Sequence, residues 1–144
     1  MTAAIEIIKE FEGLHLTAYL CPANVWTIGY GSTIHPDGRR VMRGDTITMQ
    51  QAEDYLMVEI MRRLAAMNLP DSLNDNQRAA LVSFAYNVGI GAFSRSTLWR
   101  KVIINRNDPT IRNEFMKYNR ANGRVLRGLT RRRRAEADLY FRPV

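Results

Sequence analysis

The sequence predicts an α+β fold: a short N-terminal helix and a small antiparallel sheet, joined by one long helix to an all-helical C-terminal lobe. Three features predict it. Apolar residues recur at helical spacing over residues 3–11 and again from Thr48 onward, but not over residues 14–47. Val25 to Tyr30 alternates and is rich in aromatic and β-branched types, as a half-buried strand is. Pro36-Asp37-Gly38 is a turn with a mechanism, the ring fixing φ at Pro, Asp bonding its own backbone and Gly accepting positive φ.

Each element follows from local chemistry. Thr2 can cap a first helix over residues 3–11, with Ile5, Ile8 and Phe11 on its buried stripe and Gly13 ending it. Short strands are expected near 17–20, 25–30 and 40–43. Thr48-Met49-Gln50-Gln51 matches a capping box and opens a helix to about Met67, where Leu69-Pro70-Asp71 breaks the chain. Asn74 can cap a helix over 75–88, closed by Gly89, and Ser96 another over 97–105. Asp108-Pro109 supplies N-cap and first-turn residues for 109–118, and a last helix covers 130–140.

With 144 residues the chain is expected to form a single domain over 1–144, its small lobe at about 12–48 and its helical lobe at about 60–144, with helix 3–11 packing on the latter. A cleft between two such lobes is a common place for a polymer substrate. No apolar run reaches the roughly 18 residues of a membrane span. The start, Met1-Thr2-Ala3-Ala4-Ile5-Glu6, lacks the basic and apolar segments of a secretory signal. The expectation is therefore either synthesis in the cytoplasm or an N-terminal export segment already removed. The single cysteine excludes an intrachain disulfide. Net charge is +7, divided as −3 over residues 1–94 and +10 over residues 95–144. Such a polycationic half favours anionic polymers: nucleic acid, acidic membrane or charged cell wall.

The chemistry concentrates in Phe11-Glu12-Gly13 through Thr27-Ile28-Gly29-Tyr30-Gly31. Glu12 falls at a helix C-terminus among apolar and aromatic residues, and both settings disfavour an ionised carboxylate. A carboxylic acid kept protonated is what protonation of a glycosidic oxygen requires. Taken alone, Glu12 is an ordinary helix-end glutamate. The spacing changes that: Glu12, eight residues, Cys21, five residues, Thr27 and then the Gly-x-Gly turn. It resembles the active-site signature of the phage-type lysozymes, the endolysins or muramidases of glycoside hydrolase family 24. Ser83-Phe84-Ala85-Tyr86-Asn87-Val88-Gly89, Phe93 to Leu98 and the Gly128-Leu129 to Glu136 segment resemble the same family further along, so nearly the whole chain is covered in order.

The resemblance implies a lysozyme-like fold and cleavage of the β-1,4 bond between N-acetylmuramic acid and N-acetylglucosamine in peptidoglycan, for host lysis. It implies Glu12 as general acid, Thr27 as a holder of the attacking water and Cys21 where most relatives have Asp. It further implies Gly31, Thr33, Tyr86, Asn87 and Thr97 as substrate-binding residues, no cofactor, no metal and a monomer. The enzyme would wait in the host cytoplasm and reach the periplasm through a holin. A thiol, with a reference pKa of about 8.5, is a poor base near neutrality, and ionised Glu12 would hold it protonated unless a local cation intervened. Its other reading is a small buried residue before Pro22.

His15 and His35 read as ordinary surface or hairpin residues, and no metal site is expected. Arg131 to Arg134 cannot all lie on one helix face, since successive residues are about 100° apart. They are either a solvated helix start with one or two stems packed on the core, or an attachment to the anionic envelope. The alternative to an enzyme is a basic nucleic-acid or cell-wall binding protein without catalysis. No helix-turn-helix with exposed recognition positions supports specific nucleic-acid binding.

Overall fold

In the computed structural model, which describes residues 1–144, the element order is α1 (Thr2–Glu12), β1 (His15–Leu20), β2 (Trp26–Gly29), α2 (Met49–Met67), α3 (Asp75–Val88), α4 (Ile90–Arg95), α5 (Thr97–Ile104), α6 (Ile111–Met116), β3 (Arg120–Ala121), β4 (Arg124–Val125) and α7 (Arg127–Tyr140). The chain divides into two compact units, Ile8–Arg62 and Met1–Ile7 with Arg63–Val144. The α+β class expected from the sequence is the one observed.

The 8–62 unit is built on the β1–β2 hairpin. Tyr19 pairs with Thr27, Leu20 with Trp26 and His15 with Gly29, with an irregularity between His15 and Tyr19. There β1 leaves its partner: Thr17 bridges Thr46, and the Ala18 and Ile47 amides donate to Asp45 and Leu16 carbonyls at 2.9 Å each. The third strand expected at 40–43 does not form. The 33–41 hairpin makes only an Ile34–Arg40 bridge, with the His35 amide on the Arg39 carbonyl and the Val41 amide on the Thr33 carbonyl, and it goes no further because the Met42 amide is taken by the Asp45 side chain at 2.9 Å. The Thr48 capping box is present, Gln51 N–H donating to Thr48 Oγ1 at 3.1 Å and Thr48 N–H to Gln51 Oε1 at 2.9 Å. It starts α2 with Ala52, Leu56 and Ile60 facing inward, all at most 1% exposed. In α1 the most deeply buried positions are Ala4 and Ile8, so the stripe is turned slightly from the expected Ile5-Ile8-Phe11 set.

In the second unit α3 packs chiefly on α7, and α6 also packs on α7. Phe84 of α3 meets Phe115 and Tyr118 edge-on at centroid distances of 5.5 and 4.9 Å. Asn74 and Gln77 cap α3 reciprocally, as the sequence indicates. The expected 109–118 helix begins later, at Ile111. Asp108 Oδ1 accepts from the Thr110 amide and hydroxyl at 2.9 and 2.7 Å, making a turn ahead of the helix rather than its cap. Helix α4 and the β3–β4 hairpin were not expected, and α7 starts at Arg127 instead of 130.

Candidate active site

Glu12 is the last residue of α1 and half-buried. The helix stops because Gly13 takes φ +73 while its amide still bonds the Lys9 carbonyl at 3.2 Å. One turn earlier, Lys9 reaches Glu53 of α2 at 2.5 Å, fixing this end of α1 within the 8–62 unit.

Cys21 opens the loop between β1 and β2. Its own amide donates to the Val25 carbonyl at 3.0 Å, and the Asn24 amide donates to the Cys21 carbonyl at 2.8 Å, with Asn24 itself at φ 60. The loop gathers amides around the sulfur. The thiol pKa is pulled below its ordinary value, first by the Val25 N–H, against some desolvation, and further by the Ala23 N–H and the Thr27 hydroxyl. The sequence led us to expect a thiol held protonated unless a cation intervened. Backbone donors supply the stabilisation instead.

Thr27 stands opposite Tyr19 on β2 and is 5% exposed. Its hydroxyl lies 3.0 Å from the Val25 carbonyl and also interacts with the Cys21 sulfur. One hydroxyl proton serves one acceptor at a time, so it can turn towards the sulfur when the thiol ionises. Tyr19 ties the group together. Its phenol pKa is raised first by burial, then by the charges of Cys21 and Glu12. Both groups therefore act on one side chain, which sequence reasoning did not single out. Its place directly opposite Thr27 in the hairpin register was the available signal.

Beyond β2, Ile28 and Ser32 exchange two backbone hydrogen bonds at 2.8 and 2.9 Å, closing a tight loop around Gly29-Tyr30-Gly31. Gly29 has φ +66, a conformation that requires glycine, although a Cβ there would meet Ile47 at 3.4 Å and Ala52 at 3.9 Å, ordinary contact distances. Gly31 has φ +94. Thr33 is exposed just past this turn, on the same unit as Glu12, Cys21, Thr27 and Gly31.

His35 corrects the surface reading. It is 5% exposed, with Nδ1 at 2.6 Å from the Tyr55 hydroxyl and Nε2 at 2.8 Å from Asp45 Oδ2. Nε2–H donating to Asp45 and Tyr55 O–H donating to Nδ1 satisfy both ring nitrogens. The Asp45 carboxyl is held below its ordinary range, first by His35 and then by the Met42 amide. His15, by contrast, is exposed and stacks on Tyr19 at 4.0 Å.

The remaining expected residues lie in the helical unit. Tyr86 is 7% exposed, with the Arg63 guanidinium 4.4 Å from its ring centroid. Asn87 is exposed at the end of α3. Thr97 begins α5, where Arg100 donates to its hydroxyl at 2.9 Å. The arginine run splits. Arg132 and Arg133 are 2% and 0% exposed and pair with fully buried Glu136 at 3.2 and 2.8 Å, while Arg131 and Arg134 face solvent. Half the run is thus unable to touch an envelope.

A phage lysozyme family model matches residues 9–136. The chain is 39% identical over 140 residues to the endolysin of Acyrthosiphon pisum secondary endosymbiont phage 1, covering 93% of this chain and 92% of that one. It is 40% identical over 142 residues to the endolysin of Bacillus phage PZA, covering 96% of this chain but only 53% of that longer protein. The fold matches the endolysin from Escherichia coli O157:H7 phage FAHEc1 with a TM-score of 0.86 at 37% identity, covering 98% and 92% of the two chains. The chain belongs to the phage lysozyme family. It is a glycoside hydrolase of the endolysin type, hydrolysing bacterial peptidoglycan in phage lysis, and the non-enzymatic alternative is set aside.

Proposed function

We propose that Glu12 is the general acid of this hydrolysis, acting on the β-1,4 bond between N-acetylmuramic acid and N-acetylglucosamine. Its carboxyl proton passes to the glycosidic oxygen as the C1–O bond breaks, leaving oxocarbenium-like charge on the muramic acid ring. Thr27 holds a water on the opposite face, and the Cys21 thiolate accepts that water's proton as oxygen bonds to C1. The proton taken up by Cys21 then passes through solvent to Glu12, which restores both the thiolate and the carboxylic acid. The observation that carries this reading is the layout of the 8–62 unit, where Glu12 ends α1 just ahead of β1, and Thr27 pairs with Tyr19 in the hairpin whose loop Cys21 opens. The lowered thiol pKa supports the sulfur as acceptor.

Gly31, Thr33, Tyr86, Asn87 and Thr97 bind the glycan, with Gly31 admitting a sugar close to the backbone. Exposed Arg131 and Arg134, with the unbalanced basic residues of the C-terminal half, attract the enzyme to anionic envelope polymers in a salt-sensitive way. It works as a monomer without cofactor. It accumulates in the host cytoplasm and meets its substrate in the periplasm after a holin opens the inner membrane.

Turbidity clearing of outer-membrane-permeabilised Gram-negative cells tests the reading. Glu12→Gln should lower the clearing rate roughly a hundredfold or more, the range a general acid contributes. Retention of the full rate would remove Glu12 from the mechanism. Complete thiol modification with no change in rate would remove Cys21.

A further inference from the structure

The 8–62 unit has a cavity of about 390 Å³ between the β1–β2 loop and the 33–42 hairpin, of which the reaction as described uses only the Thr33 edge. Val25, Trp26, Val41 and Met42 form its apolar wall, and Asn24, Thr33 and Arg40 its polar one. A second, smaller pocket of about 200 Å³ shares Val25, Thr33 and Arg40 and extends to Ile34.

Arg40 decides what the cavity can hold. Its neighbour Arg39 is paired with Asp37 at 2.8 Å. Asp45, the other carboxylate nearby in sequence, is occupied by His35 and the Met42 amide. Arg40 thus lines the cavity with no carboxylate partner. The hairpin carrying it is fixed from both sides, by the Ile34–Arg40 bridge and the 3.0 Å Val41–Thr33 backbone bond, and by buried His35. A guanidinium on a held backbone, an amide and a hydroxyl beside apolar surface fit an anionic ligand with a small apolar part, and a few hundred Å³ suits a dipeptide or a single sugar.

We propose that this cavity binds the acidic stem peptide carried by the muramic acid unit of the substrate. Arg40 pairs with a stem carboxylate, Asn24 and Thr33 bond the peptide amides, and Val25, Val41 and Met42 cover the alanine methyl. The inference rests on the peptidoglycan reading and deepens it, because the stem is where that polymer carries its negative charge. Thr33, which lines the cavity and follows Gly31 by two residues, joins the stem site to the proposed glycan site.

Two measurements test it. The first is kcat/KM on peptide-bearing glycan strands relative to strands stripped of peptide by an amidase. Arg40→Gln should reduce that preference about tenfold, as expected for loss of a charge-assisted contact. Arg43→Gln, which removes an equal charge outside the cavity, should leave the preference unaltered. An unchanged preference in Arg40→Gln, or an equal fall in Arg43→Gln, overturns the proposal while leaving the hydrolase reading intact. Failure to cut either substrate would overturn the hydrolase reading itself. The second measurement does not depend on turnover: muramyl dipeptide should shift the Trp26 indole N–H resonance in the intact chain and not in Arg40→Gln. An equal shift with N-acetylglucosamine trimer, or none with the dipeptide, would overturn the stem-peptide assignment.

Discussion

The two units place their polar groups in opposite ways. In the helical unit, Glu136, Arg132, Arg133 and Ser83 are all at most 2% exposed and closed on one another, with Ser83 Oγ donating to Glu136 at 2.5 Å, Arg132 donating to the Ser83 carbonyl at 3.1 Å and Arg133 lying 5.0 Å from the centre of the Phe84 ring. In the 8–62 unit the polar side chains hold loops: the Thr27 hydroxyl bonds the Val25 carbonyl, Asp45 accepts from the Met42 amide, and buried His35 bridges Asp45 to Tyr55 of α2. The first arrangement holds helices together. The second shapes loops and leaves Glu12, Cys21 and Thr33 within reach of a ligand. The contrast teaches that charge in a sequence does not locate chemistry. The chain's densest basic run is half structural, and its reactive groups sit in the nearly neutral part.

If that division is right, the largest loss of stability should come from Glu136→Gln. Removing one partner strands two buried guanidiniums, at a cost of about 3–5 kcal/mol by denaturant melts. Burial pushes the Glu136 carboxyl up while the two guanidiniums pull it down, so a neutral amide keeps the shape but not the pairing.

A smaller effect, about 1–3 kcal/mol, is expected from His35→Phe, which leaves Tyr55 and Asp45 without their buried partner. It should also slow lysis, since the hairpin bearing Thr33 loses its anchor. The pH dependence has a definite sign. The folded Asp45 pKa lies below its ordinary 3.8, so its contribution is complete above that value and is lost as pH falls through the lower folded value. Melts at descending pH should show a shallower acid loss in Asp45→Asn than in the unmodified chain. Thr27→Val should raise the pH midpoint of Cys21 alkylation, since one of the thiolate's donors disappears. A midpoint unmoved by this change would break the link between hydroxyl and sulfur. Smallest of all, Arg131→Gln with Arg134→Gln should alter stability by less than about 0.5 kcal/mol. That pair should still flatten the salt dependence of binding to purified sacculi.

Much of this was legible in the residues. The capping boxes at Thr48 and Asn74 and the stop at Gly13 are local chemistry, and the helices start or end where they indicate. Other features are local as well. Asn122-Gly123, with φ of 52 and 76, is the strongest short hairpin signal available and lies between β3 and β4. The i, i+4, i+7 spacing of Arg127, Arg131 and Arg134 marks the solvent face of α7 and leaves Arg132 and Arg133 facing inward. The rest depends on contacts distant in sequence. Nothing near His35 announces Tyr55, twenty residues away, and the missing third strand follows from one Asp45 side chain claiming a backbone amide. The depressed Cys21 pKa depends on where three amides and a hydroxyl point, which no spacing rule specifies. The resemblance carried the site residues because spacing along the chain was their only visible trace.

Mass analysis of muropeptides released from purified sacculi, by the unmodified chain and by a folded Glu12→Gln variant of equal thermal stability, tests the central claim most directly. Disaccharide-peptides ending in reducing muramic acid are expected from the former and essentially none from the latter. Identical products at comparable rates from both would contradict it.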